Sequence, residues 1–212
     1  MMRYLDYFLG LRCAPDIMAA VGRICKPSKE ITETMSILRG VRSISLKDKM
    51  KYTLVDLCAG NCLNSITAIH FLPLKYAIAV DIRDRKDRIT KRNRYSTEHS
   101  VDRFEYVQAN IFEDEINIPE HSIIVSTHPC SNLAKRVIEI FEEAENAKAM
   151  FIMPCCHGKP EKFSVPTLIG DKLDSYEVWC YYLYNMISVK SKKIRHDNKV
   201  LSPKNIVISA WK

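Results

Sequence analysis

Two hydrophobic periods alternate along the chain. KYTLVDLCAG (51–60), YAIAVDI (76–82), FEYVQA (104–109), HSIIVST (121–127) and AMFIMP (149–154) are short apolar runs bounded by turn residues, the pattern of buried strands. Between them, NSITAIHFL (64–72), stopped by Pro73, and the strongly amphipathic NLAKRVIEIFEEAENA (132–147) carry apolar residues at helical spacing. A polar, basic helix is predicted over about 85–96 and a further helix over about 171–187. The tail reads as two more strands, one near 188–194 and one in NIVISAWK (205–212), with SPKN as the turn before it. Strands that alternate with helices predict an α/β fold, a parallel sheet covered on both faces, here ending in an antiparallel hairpin.

Residues 1–48 follow a different rule. LDYFLGL and DIMAAVGRI have helical spacing, and a third helix is predicted from an N-cap at Ser28 through ITETMSILRG to Gly40. No Gly/Ser linker follows, so the expected organisation is a helical extension over 1–48 packed on a main domain over 49–212. Composition adds little: 47% hydrophobic and 27% charged residues in 212 fit an ordinary globule and exclude a disordered chain, a collagen or a coiled coil. No apolar run reaches the roughly 18 residues of a membrane span, and the N-terminus shows no signal-peptide pattern, so a cytoplasmic location is expected. In that reducing compartment the eight cysteines are expected as free thiols. Cys13, Cys25 and Cys180 are read as core.

In open α/β sheets ligands bind beyond the carboxyl ends of the strands. The first strand here runs into Asp56-Leu57-Cys58-Ala59-Gly60-Asn61-Cys62, a turn of small residues that lets backbone approach a ligand. Asp81 ends the second strand 21 residues after Gly60, where a carboxylate can accept both ribose hydroxyls of a nucleoside. A dinucleotide would need three glycines for its pyrophosphate, and this turn has one. S-adenosyl-L-methionine has no phosphate and needs fewer. The predicted cofactor-binding set is Asp56, Cys58, Ala59, Gly60, Asp81, Ile82, Asn110 and His128. Asp56 would organise the turn and receive the methionine amino group directly or through water, and Asn110, after the third strand, would face the adenine.

The fourth strand ends in His128-Pro129-Cys130-Ser131-Asn132-Leu133-Ala134 and the fifth in Pro154-Cys155-Cys156-His157-Gly158, on the same sheet edge. This H-x-C-x-x-A with its amphipathic helix, followed by P-C-C-H and an S-P-K-N hairpin, resembles a group of class I S-adenosylmethionine-dependent methyltransferases. That group includes the eukaryotic tRNA acceptor-stem 2′-O-methyltransferase. The resemblance covers about Thr53 to Trp211. It implies a Rossmann-like seven-stranded methyltransferase sheet, the cofactor at Asp56–Cys62, and RNA, with tRNA first, as substrate. D-x-C-A-G-N-C is a degenerate form of the glycine-rich turn of class I enzymes.

The predicted acceptor-side residues are His128, Cys130, Cys155 and His157. A ribose hydroxyl is a poor acid, so a histidine would help remove its proton, with Lys135 or Arg136 steadying a phosphate. A second chemistry is open: Pro129-Cys130-Ser131 resembles the P-C-S of RNA 5-methylcytosine enzymes, where a cysteine adds to the base. A third is metal, since Cys58, Cys62, Cys130, Cys155, Cys156, His128 and His157 could converge. No C-x-x-C pair is present and neighbouring Cys155 and Cys156 are awkward partners in one tetrahedral site, so no metal ligand is assigned. A small-molecule or protein acceptor, and a non-catalytic RNA- or metal-binding module, are the alternatives.

Net charge is +7, from 32 basic and 25 acidic residues. The cations cluster: seven lie within 83–94 and five within 190–199. RNA is the expected partner, held through these two segments flanking the pocket. The oligomeric state is not legible in the sequence.

Overall fold

The computed structural model describes residues 3–84, 103–156 and 173–212. The basic helix expected over 85–96, most of the 83–94 segment, and His157 with Gly158 lie outside these. The described residues form α1 (Tyr4–Leu9), α2 (Ala14–Val21), α3 (Pro27–Ser45), β1 (Thr53–Leu57), α4 (Leu63–Phe71), β2 (Tyr76–Asp81), β3 (Phe104–Gln108), β4 (Ser122–Thr127), α5 (Asn132–Glu143), β5 (Ala147–Met153), α6 (Ser175–Met186), β6 (Ser191–His196) and β7 (Ile206–Trp211). The sheet order is β3-β2-β1-β4-β5-β7-β6. The five strands from β3 to β5 are parallel, and β7 runs antiparallel to both β5 and β6. This is the Rossmann-like seven-stranded sheet with a terminal antiparallel pair that the hydrophobic pattern predicts.

Strand order reverses between β1 and β4. Both strands are continuously buried apart from Thr127, because helices cover both faces of the sheet. Leu54, Ala79, Ile123, Val125 and Phe151 point into one core with α1–α4, while Val55, Leu57, Val80, Ile124 and Ile152 point into the other with α5 and α6. The N-terminal helices and the sheet therefore share one core.

Three boundaries differ from the sequence reading. Ser28 does not cap α3: the N-cap is Lys26, with no side-chain cap bond, and Pro27 occupies the first turn, where its missing N–H costs nothing. Nor does Gly40 end the helix, which continues to Ser45. A Cβ at Gly40 would come within 2.2 Å of the Phe151 ring, so this glycine lets α3 lie directly on β5. The contact outweighs the roughly 1 kcal/mol that glycine costs inside a helix. Third, α6 starts at a capping box, with Asp174 accepting from the Glu177 N–H and Glu177 accepting from the Asp174 N–H.

A buried carboxylate fastens the N-terminal helices to the far side of the sheet. Asp197 Oδ2 accepts from Tyr4 Oη at 2.7 Å and Ser36 Oγ at 2.6 Å, and pairs with Arg195. Burial pushes this carboxyl up, but the Ser36, Arg195 and Tyr4 donors outweigh it and hold the group at about 2.

Two predictions follow from this packing. Gly40→Ala, although it improves helix propensity, destabilises the protein by about 1–3 kcal/mol in urea denaturation, because the added methyl overpacks against Phe151. Asp197 has a folded pKa below its unfolded value of about 3.9, so its contribution is full above that value and lost as pH falls towards 2. The stability gap between wild type and Asp197→Asn, measured across that window, should narrow with acidification.

Candidate functional site

The switch point holds a crevice made of two cavities that share Cys58, Arg83 and His128. One, of about 450 Å³, lies between the ends of β2 and β3 and is walled by Asp81, Ile82, Asn110 and Phe112. The other, of about 380 Å³, lies under α3 and is lined by Glu30, Glu33, Ala59, Gly60 and Asn64. Two apolar side chains stand exposed at the first: Ile82 is 62% and Phe112 53% accessible. Apolar walls with a few convergent polar groups are what a small-molecule site requires.

Left-handed backbone concentrates here. Cys58, Gly60 and Cys62 have φ of 59°, 59° and 63°, and His128 and Ser131 have 63° and 47°. Non-glycine residues in this region carry strain of order 1 kcal/mol or more, which the surrounding structure must enforce. Asp56 does much of that enforcing. It is fully buried, accepting from Asn64 Nδ2 at 3.1 Å and Ser65 Oγ at 2.8 Å, both on the first turn of α4. Burial raises its carboxyl to about 6, against those two donors. Its carboxylate is thus turned into α4 and away from the crevice. The direct ligand contact expected of it is replaced by the turn-organising role, because the α4 donors lie closer than any space open to a ligand.

Asp81 does face the crevice, with its carboxylate engaged. Gly60 N–H donates to Oδ2 at 2.7 Å, and Arg83 approaches through Nε at 2.8 Å and Nη2 at 3.1 Å. Burial raises the carboxyl, and Arg83 and the Gly60 N–H more than reverse this, leaving it below its ordinary range. Tyr106 Oη in turn donates to the Arg83 carbonyl. Asn110 closes a turn: its Oδ1 accepts from Phe112 N–H at 3.1 Å, so its NH2 is the remaining side-chain donor. Ala59 is buried in the turn, and its N–H donates to the Val80 carbonyl at 2.9 Å, joining the turn to β2.

His128, following β4, is held by α3, a helix of the N-terminal extension. Its Nε2 lies 2.7 Å from Oε2 of Glu33, whose side chain has no exposed surface. Lys29 Nζ, one turn earlier on α3, lies 3.2 Å from Glu33 Oε1 and 3.3 Å from His128 Nε2. Burial alone would raise the Glu33 carboxyl, but His128 and Lys29 together hold it below its usual value. Glu33 and Lys29 thus both meet the imidazole at Nε2, while Nδ1 is buried and has no hydrogen-bond partner among the described residues. The clue in the sequence is a charged Lys29-x-x-x-Glu33 pair one turn apart on that helix.

The thiols divide. Cys62 and Cys180 are buried, and Cys58 is pushed up to about 12, chiefly by burial. Cys25 is exposed and lines the crevice, so it is not the core residue expected, while Cys13 is half-buried and packs against the core. Cys130, Cys155 and Cys156, by contrast, converge, with Sγ atoms 2.9, 3.5 and 3.4 Å apart. The thiols of Cys130 and Cys155 are raised above their usual range, first by burial and for Cys155 also by its thiol neighbours. That opposes the thiolate a cytosine-adding nucleophile needs. The 190–199 cations do not flank the crevice, because β6 is the edge strand, beyond β5 and β7. Two of them are spent inside the fold: Lys192 donates to the carbonyls of Tyr184 and Ile187, and Arg195 pairs with Asp197. Arg136 donates to the Ile111 carbonyl and pairs with Glu139 and Glu143, while Lys135 lies over the Trp179 and Tyr182 rings.

Comparison with known proteins agrees with this fold. A family model described as a methyltransferase domain matches residues 26–161, which include α3 and most of the crevice lining. No curated protein matches the chain. Among solved structures it is similar to a protein of Methanococcus maripaludis assigned as an S-adenosyl-L-methionine-dependent methyltransferase, at 16% identity and a TM-score of 0.56 over 94% of this chain and 92% of that one. It is also similar to the human methyltransferase 10 domain containing protein, at 12% identity and 0.55 over 90% and 85%. A third is the methyltransferase domain of a bacterial Hen1 protein, at 13% and 0.54 over 82% and 97%. In two weaker matches, at TM-scores of 0.46 and 0.48, the chain spans 67% and 66% of the other protein.

Proposed function

The chain belongs to a family of methyltransferase domains, and from that premise we propose that it methylates a hydroxyl of RNA, the ribose 2′-oxygen of a tRNA-like substrate first, using S-adenosylmethionine. The observation that carries the hydroxyl acceptor is the Glu33–His128 pair at the point where the two cavities meet.

The residues present fit the cofactor. Ile82 and Phe112 offer apolar walls for an adenine, with the Asn110 amide beside them. Asp81 is placed to accept the ribose hydroxyls once Arg83 yields its place. Cys58, Ala59 and Gly60 present backbone, and Gly60, at φ 59°, takes a conformation that a side chain would strain. When bound, S-adenosylmethionine supplies an electrophilic methyl carbon on a sulfonium. The chain's own task is then to position an acceptor and remove its proton. Glu33 holds the His128 imidazole at Nε2, and because Nδ1 is buried the ring must turn towards the crevice to receive the hydroxyl proton. The buried carboxylate stabilises the imidazolium that results, the division of labour of a base and its orienting group. Lys29 keeps Glu33 ionised throughout.

An RNA partner is supported by the net charge of +7, from 32 basic against 25 acidic residues, and by Arg83 at the crevice mouth. A small-molecule or protein hydroxyl would meet the same base but would not draw on those cations.

Calorimetry with S-adenosylhomocysteine should show binding that Asp81→Ala weakens by about 10- to 100-fold, the value of hydrogen bonds to a charged group. Incubation of RNA with labelled cofactor, followed by nucleoside mass spectrometry, should yield a 2′-O-methyl nucleoside. His128→Ala should lower kcat by about 10²–10⁴ and leave S-adenosylhomocysteine affinity within a few-fold. A base-methylated product would overturn the hydroxyl assignment while leaving the cofactor assignment intact.

A further inference from the structure

We propose that Cys130, Cys155 and Cys156 bind a single thiophilic metal ion, zinc first, that ties the loop after β4 to the loop after β5. The three Sγ atoms converge on one point from two adjacent strand ends, with separations of 2.9, 3.4 and 3.5 Å. Three thiolates around one zinc at Zn–S of about 2.3 Å stand about 3.8 Å apart in tetrahedral geometry. The cluster therefore needs to open by less than an ångström. The sequence objection to neighbouring ligands does not apply, because Cys155 and Cys156 already aim their sulfurs at the same place as Cys130.

Other uses of these thiols fit less well. They are not core residues: Cys130 and Cys156 are exposed and Cys155 is half-buried, so an ion has a path in. A Cys130–Cys155 disulfide would need its sulfurs to close to about 2.05 Å and an oxidant to take two electrons, and it would leave Cys156 with no role. An iron–sulfur cluster spreads its thiolates over several irons, whereas these sulfurs gather around the space of one ion. The donor set is all sulfur, which selects zinc or copper(I) over magnesium, calcium or manganese.

Each thiol gives up its proton to solvent as it ligates, so crowding that is unfavourable for three thiols becomes favourable around a dication. The His128 carbonyl already accepts from Cys130 Sγ at 3.5 Å and Cys155 Sγ at 3.7 Å. Ligation gives up these two bonds, and the ion would hold the loop instead through Cys130, which lies between the left-handed His128 and Ser131. Three protein ligands leave a fourth position for water or an incoming group.

The test uses the full chain, reduced and freed of metal by a chelator, then titrated anaerobically with Co(II) alone. A sulfur-to-cobalt charge-transfer band and strong tetrahedral d–d bands should saturate at one equivalent, and zinc should displace them. Cys130→Ser and Cys156→Ser should each weaken cobalt binding by at least about 10-fold with unchanged circular dichroism, whereas Cys13→Ser should not. Zinc should also raise the unfolding midpoint of wild type but not of Cys156→Ser. A wild-type spectrum without the sulfur band would overturn the site, as would one that survives these substitutions. So would a Cys130–Cys155 disulfide mapped in the anaerobically purified chain.

Discussion

The crevice depends on one contact: α3 lying directly against the sheet. Its backbone comes so close to β5 that only a glycine fits over the Phe151 ring. That approach carries Glu33 to full burial beneath His128 and Lys29 to the same ion pair. An uncompensated buried carboxylate would be costly, so the helix position and the histidine position are fixed together. Asp197 secures the same helix at Ser36, three residues along, by linking it to Tyr4 and to Arg195 on the β6 edge. A segment that looks peripheral in sequence thus sets the geometry of the crevice.

The second constraint is backbone strain at two strand ends. The turns after β1 and β4 place Cys58, Cys62, His128 and Ser131 in the left-handed region. Buried polar contacts hold them there: Asp56 anchors the first turn of α4, Asn64 bridges Asp56 to Thr127 Oγ1, and Ser126 Oγ donates to the Leu57 carbonyl. Strand ends so tightly cross-braced leave their loop residues aimed at one space. This is why a turn with one glycine can still hold its backbone at the crevice.

Charge is used in two ways that the sequence count does not separate. Arg195, Lys192 and Arg103 bond carbonyls or a buried carboxylate and hold the fold together. Arg83 stands at the crevice, where it neutralises Asp81 and would meet an incoming polyanion. The surface charge on the hairpin is therefore smaller than a count of 190–199 implies.

The fold was legible in the sequence because its signals are local. Strands buried on both faces read as apolar runs, and each helix between them repeats its apolar positions with its own period. The turn at Gly60 and the carboxylate at Asp81 were legible for the same reason: a fixed spacing within one strand-turn-helix-strand unit brings them together. What the tertiary structure alone decided lies between segments far apart in the chain. Glu33 meets His128 across 95 residues, Gly40 meets Phe151, and three thiols from two loops meet at one point, while Asp56 turns inward to Asn64 and Ser65. No periodicity encodes such meetings. They arise when packing brings buried polar groups close enough that each is satisfied only by the other.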